Sequence, residues 1–246
     1  MSNSADDRKP TKTPQKAARS DGSRSFMQRS SLLLAGGAVA GGLNIARAAH
    51  SFGSDTIRVG LIGCGGRGTG AITQALNTTG GDVQLVAMGD AFEDRIQAAY
   101  RTVKGKHPDR VNVTRDRRFV GLSAYRDVIA SDVDVVILAT PPGFRPLHFE
   151  AAVEAGSMFS MEKPVAVDAP GVRRVLAANE LAKQKNLAVA VGLQRHHEAR
   201  YQECVAQIHD GAIGQILMAR VYWNSGGVWV RPRQQNDTEL KYRCRN

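Results

Sequence analysis

Cysteine is scarce in this 246-residue chain. Three residues (Cys64, Cys204, Cys244), odd in number and widely scattered, exclude a disulfide framework and a cysteine-based zinc site. Proline is thin too, with 9 against 25 glycines, which excludes collagen-like and proline-rich chains. No apolar run approaches the roughly 18–20 residues needed to cross a bilayer, so no stable membrane span is expected. What is present is a globular balance, 42% hydrophobic and 23% charged, which excludes a wholly disordered chain. The net charge of +10 suggests nucleic acid until it is divided along the chain. Residues 1–48 carry +5 of it and the other four-fifths of the chain also +5. The body is only mildly basic, and no nucleic-acid partner is expected.

Residues 1–48 read as an address and a tail with little to bury. Basic and polar residues lead to Ser23-Arg24-Ser25-Phe26-Met27, then to an apolar run of 12 residues from Leu32 to Leu43, then to Ala46-Arg47-Ala48. Basic, short apolar and A-x-A in that order is the pattern of an export signal. Ser-Arg-Ser-Phe-Met resembles a twin-arginine signal with serine at the first arginine, which implies a periplasmic destination. An unused signal would leave the protein in the cytoplasm.

From Thr56 onward short β-branched runs alternate with helix-compatible segments. Strands are predicted at 56–62, 83–88, 133–139, 157–161 and 187–191. Helices are predicted at 66–77, 93–104, 125–130, 146–155 and 169–185. The charged stretch 107–119 reads as a solvated connection. Near-continuous apolar strands between helices imply an α/β fold, a Rossmann-type doubly wound parallel sheet, over residues 55–194. Beyond it, 199–208 reads as a helix, and Gln215–Trp223 alternates like a long strand. From Asn224 the sequence is polar and turn-rich. Residues 195–246 are therefore expected to be the incomplete start of a second, α+β domain with an open, mostly antiparallel sheet.

The first predicted strand runs into Gly63-Cys64-Gly65-Gly66-Arg67-Gly68, a G-x-G-x-x-G pattern that opens a predicted helix. In such a turn the first glycine permits the tight bend, the second a close approach of backbone to a pyrophosphate, and the third close helix–strand packing. Free N–H groups at the helix start face the phosphates. Asp90 follows the second strand, 22 residues beyond Gly68. An acid there accepts hydrogen bonds from ribose hydroxyls and repels a 2′-phosphate, which points to NAD. Arg67 and Arg95 leave NADP open. A glycine turn in another α/β protein remains the alternative at this stage.

The glycine turn, Ala139-Thr140-Pro141-Pro142 and Glu162-Lys163-Pro164, in this order, resemble the Gfo/Idh/MocA oxidoreductases, a family named for glucose–fructose oxidoreductase and inositol dehydrogenase. The resemblance runs from Ile57 to Trp223 and includes Gly192-Leu193-Gln194-Arg195 and the turn at Gly211-Ala212-Ile213-Gly214. It implies that Thr140 and Pro141 lie along the nicotinamide half of the cofactor and that Lys163 is catalytic. An ammonium at that place can hydrogen-bond a substrate hydroxyl and favour its alkoxide character. Glu162 either positions Lys163 or contacts a cofactor ribose, and His148 is either a loop anchor at the cofactor or structural. Gln194 and Arg195 are placed at the same cleft, Gln194 toward cofactor and Arg195 toward substrate or cofactor. His196 and His197 point to opposite faces of an extended chain and have no i, i+4 partner, so no metal site is expected.

The expected activity is hydride transfer between a nicotinamide and a hydroxyl-bearing carbon of a sugar, polyol or sugar derivative. An NAD-dependent glycosidase of the same superfamily and a non-catalytic dinucleotide-binding remnant are the alternatives. Family members complete their site with a histidine and an acid from the second domain, beyond its first long strand. Here the last histidine is His209. The resemblance therefore implies a truncated chain, whose full-length form is expected to be a homo-oligomer.

Overall fold

The computed structural model describes residues 56–226 and 231–245. The export-type segment at 1–48 lies outside them. Six parallel strands form one sheet: β1 (Thr56–Ile62), β2 (Asp82–Asp90), β3 (Arg118–Val120), β4 (Val135–Leu138), β5 (Met158–Met161) and β6 (Val189–Val191), in the spatial order β3-β2-β1-β4-β5-β6. The helices between them are α1 (Gly66–Leu76), α2 (Glu93–Lys106), α3 (Ala124–Ala130), α4 (Arg145–Glu154) and α5 (Ala169–Gln184). This order is that of the doubly wound Rossmann sheet, with its topological switch between β1 and β4.

Each face of the sheet is covered because successive strand residues point to opposite sides. Leu61, Leu85, Met88 and Ile137 meet Ile72 and Leu76 of α1 and Ile96 and Val103 of α2. Ile62, Val136 and Leu138 meet Val128 of α3, Phe149 of α4 and Val175 of α5 on the other side. Phe149 and Phe159 pack edge to face with centroids 4.5 Å apart. On α1 the buried residues are Gly68, Ile72 and Leu76, spaced by four, which sets that helix's roll against the sheet. The start of α5 is fixed by Asp168, whose side chain accepts from the Gly171 N–H at 2.7 Å.

Three sequence expectations are corrected. The stretch 107–119 is not merely solvated: Val111 and Val113 are buried, Val111 bridges to Leu85, and β3 pairs with Met88–Asp90 at the sheet edge. A three-residue edge strand between charged residues is too short to show a period. Gln215–Trp223 forms no strand among the described residues, and Leu217, Val221 and Trp223 are exposed. Its alternation is real, but a strand exists only when a neighbour pairs with its backbone. The polar tail contains a helix, α7 (Glu239–Arg245), after α6 (Ala199–His209). In α7 Arg243 bonds Glu239 at i, i+4, a local pair that favours helix. No helix among the described residues is long and apolar enough to cross a membrane.

Candidate active site

The carboxyl ends of β1, β2, β4 and β5 open into one cleft of about 740 Å³, within the size range of cofactor and ligand pockets. The glycine turn forms its floor. Gly63 has φ +94°, and a Cβ there would stand 2.6 Å from the Thr140 backbone nitrogen, so glycine is required both by conformation and by space. At Gly68 a Cβ would fall 1.8 Å from the Gly63 carbonyl oxygen, because α1 lies directly against the turn. Gly65 and Gly66 are different. A Cβ at either would meet nothing within 4 Å, and both residues line the cleft at the first turn of α1. Two of these glycines serve the fold, while two leave room beside the free N–H groups of a helix start.

Asp90 ends β2 beside this turn. Its Oδ2 accepts from the Cys64 N–H at 2.7 Å and its Oδ1 from the Phe92 N–H at 3.0 Å. A carboxylate has about four acceptor sites, so two remain for a ligand. Burial raises the Asp90 carboxyl above its ordinary pKa, while the two backbone donors and Arg95 pull it back. Cys64 is buried against the Gly89 carbonyl, and burial pushes its thiol well up, which keeps it protonated and unreactive.

The opposite wall comes from the loops after β4 and β5. Thr140 Oγ1 lies 3.3 Å from His148 Nδ1, and the His148 ring stacks on Tyr125 at 4.3 Å. His148 is only 5% exposed, and burial lowers its pKa to about 4, so the ring is neutral at physiological pH. Pro141 stands beside Thr140 in the lining. Glu162 and Lys163 leave β5 into the cleft, with Lys163 exposed there and the Lys163–Pro164 peptide cis. Glu162 Oε1 accepts from Arg67 Nε at 2.7 Å, which joins the glycine turn to the Lys163 loop across 95 residues of sequence.

Gln194 and Arg195, expected at this cleft, do not line it. After β6 the chain turns into a short 3-10 segment, Gln194–His197, whose side chains meet their own neighbourhood. Gln194 bonds Glu198 at 3.3 Å, and Arg195 bonds the Tyr201 hydroxyl at 3.1 Å and lies over Trp223. The residue that sequence reasoning missed is Arg145. It opens α4, is 5% exposed, lines the cleft and donates to the Pro164 carbonyl. An arginine before a proline at a helix start reads as a surface residue, and nothing local marks its burial. Arg231 and Cys244 of the tail also reach the cleft. Among the described residues no three His, Cys, Asp or Glu side chains gather as a metal-ligand set.

A parallel sheet in this strand order, with a glycine cradle at its switch point, is shared by several enzyme classes. The sequence decides between them. The profile of the oxidoreductase family with an NAD-binding Rossmann fold, Gfo/Idh/MocA, matches residues 57–193. This chain belongs to that family. Inositol 2-dehydrogenase 4 of Saccharopolyspora erythraea is 33% identical over 162 residues, which cover 66% of this chain and 44% of that protein. Inositol 2-dehydrogenase of Agrobacterium fabrum is 29% identical over 189 residues, covering 75% and 52%. Among solved structures, the WlbA dehydrogenase of Bordetella pertussis in complex with NADH and UDP-GlcNAcA superposes with a TM-score of 0.53 at 27% identity, covering 66% of this chain and 42% of that one. The scyllo-inositol dehydrogenase of Lactobacillus casei with NAD(H) and scyllo-inositol, at 23% identity and a TM-score of 0.52, shares the fold. The chain thus spans about 44% of the length of the first curated relatives it matches.

Proposed function

We propose that this chain carries the dinucleotide-binding and proton-handling part of an NAD(P)-dependent oxidoreductase acting on a hydroxyl-bearing carbon of a polyol, sugar or sugar derivative. The observation that carries this reading is the pair Gly65–Gly66, open toward the same cleft into which Lys163 projects from the end of β5, two strands away. The backbone N–H groups at the start of α1 would hold the pyrophosphate. The free acceptor sites of Asp90 would take ribose hydroxyls, which favours NAD, while Arg95 and Arg67 on the same rim supply the charge for NADP as the lesser choice. Thr140 and Pro141 would border the nicotinamide half, and neutral His148 would hold the Thr140 hydroxyl in place. The bound dinucleotide supplies the hydride acceptor or donor. Lys163 Nζ would hydrogen-bond the substrate hydroxyl and hold or release its proton, with Glu162 keeping the loop joined to the glycine turn.

The inositol 2-dehydrogenases among the relatives favour a cyclic polyol as substrate. The order of basic, apolar and A-x-A residues at 23–48 supports export, with a twin-arginine-type route to the periplasm. A homo-oligomer is the assembly we propose for the full-length protein.

NADH fluorescence titration together with a turnover screen of NAD plus myo-inositol and related polyols tests the reading. Micromolar NADH binding is expected. Lys163→Ala is expected to abolish turnover while leaving NADH affinity within about twofold of wild type. Absence of NADH binding to the wild-type chain at millimolar concentration overturns the proposal.

A further inference from the structure

Arg145 is a buried cation with an unusual set of neighbours. It is 5% exposed, and its Nε has no hydrogen-bond partner among the described residues. Burial lowers its pKa, with Glu162 the acid that opposes the shift. Glu162, however, gives its close ion pair to Arg67. Arg145 also occupies the first position of α4, where the positive end of the helix dipole repels a cation. Burying a charge so poorly compensated costs stability. The group it reaches is the carbonyl of Pro164, the residue directly after Lys163. The other buried side chains of α4 are apolar (Pro146, Phe149, Ala152, Val153) or the neutral His148, so Arg145 is the one charge on that face.

We propose that Arg145 is a positioning residue, which clamps the Glu162-Lys163-Pro164 loop from beneath and so sets where the Lys163 ammonium stands in the cleft. The inference rests on the catalytic reading of Lys163 given above, but the clamp itself is separately measurable. Arg67 holds the same loop from the glycine turn through Glu162, so the loop is tied at both flanks of Lys163, once to the turn after β1 and once to the start of α4. The two ties differ in setting. The Arg67 pair is half exposed, whereas Arg145 itself is buried and its bond to Pro164 is part-buried. A charge-assisted bond from a buried, poorly mobile guanidinium is the stronger constraint.

The test compares the wild-type chain with Arg145→Met and Arg145→Lys by backbone 15N relaxation, thermal melting and NADH titration. In wild type, order parameters at the Lys163 and Val165 amides are expected near about 0.85, the rigid range, and in Arg145→Met below about 0.6. Leu61 and Val136 in the central strands are expected to be unchanged, and NADH affinity to stay within about threefold. Arg145→Lys keeps the charge and one donor, and is expected to recover part of the loop order. Where turnover is measurable, kcat in Arg145→Met falls about a hundredfold, the effect of a displaced catalytic group, with KM little changed. Unchanged order at Lys163 overturns the proposal. So does a loss of order spread equally over β1 and β4, which would make Arg145 a general stabiliser, or an unchanged kcat beside a loosened loop. If Arg145→Met does not fold, Arg145→Gln is judged by the same criteria. Wild-type protein that binds no NADH refutes the dinucleotide reading instead, and leaves the loop measurement standing on its own.

Discussion

Two alanine substitutions three residues apart should fail in opposite ways. At Gly68 the new Cβ would lie 1.8 Å from the Gly63 carbonyl oxygen and 3.2 Å from the Ala139 Cβ. An ordinary carbon–oxygen contact is about 3.3 Å, so α1 must retreat by roughly 1.5 Å from the turn. Both partners are backbone or short side chain, and no rotamer relieves the clash. Overpacking of this kind costs about 1–3 kcal/mol or more, which lowers the melting temperature by about 2–12 °C for a domain of this size. At Gly65 the Cβ meets nothing within 4 Å, and φ −72°, ψ −174° is open to alanine. The fold should lose less than about 1 kcal/mol, chiefly through the poorer N-cap. That Cβ stands instead in the space beside the N–H groups of α1, where we place the pyrophosphate. NADH affinity should fall at least tenfold, about 1.4 kcal/mol. Differential scanning fluorimetry reads the first quantity and NADH fluorescence titration the second. Equal destabilisation by both variants, or wild-type NADH affinity in Gly65→Ala, refutes the division of labour among these glycines.

Three further outcomes follow from the cleft. His148, with its pKa lowered to about 4 by burial, takes a proton less readily in the folded than in the unfolded chain. Stability should therefore fall as pH drops from about 6.5 toward 4, by up to about 3 kcal/mol; urea unfolding at pH 7 and 4.5 should show that His148→Gln removes this part of the loss, and an identical loss in the variant sinks the assignment. In Asp90→Asn only one side-chain oxygen remains to serve the Cys64 and Phe92 N–H groups, which should cost about 1–3 kcal/mol in chemical denaturation and weaken the preference for NADH over NADPH; unchanged stability would show that these two bonds carry no weight. Arg67→Ala breaks the pair with Glu162, but the arginine side chain is 52% exposed, so the cost should stay below about 1 kcal/mol by thermal melting, and a drop above about 4 °C would contradict a solvent-screened bridge.

The alternation of strands and helices was readable because it is local. Apolar runs such as Val133–Ala139 and Thr56–Ile62 are long enough to show their own pattern, and the glycine turn announces its backbone needs in its residue types. Boundaries shifted by only one or two residues, as at α4, which starts at Arg145 rather than Pro146. The strand β3 was not readable, since three residues have no period and it is specified by pairing with Met88–Asp90. Gln215–Trp223 failed in the reverse direction, as a strand-like pattern without a pairing partner among the described residues. At the cleft, Lys163 and Asp90 were legible from their place after a strand. Gln194 follows a strand too, yet the turn after β6 carries it to Glu198.

The sequence by itself determined the doubly wound sheet and the position of its first phosphate-type turn, because hydrophobic period and glycine placement act over a few residues. It also determined the family, through three short motifs in a fixed order. Only the tertiary structure decided which side chains meet. It brought Arg67 to Glu162 across 95 positions, buried His148 against Tyr125, and set Arg145 under the Pro164 carbonyl. Such contacts depend on how α1, α3 and α4 dock on the sheet, and their energies come from burial and distance. A charge is written identically in the sequence whether water surrounds it or a packed core does.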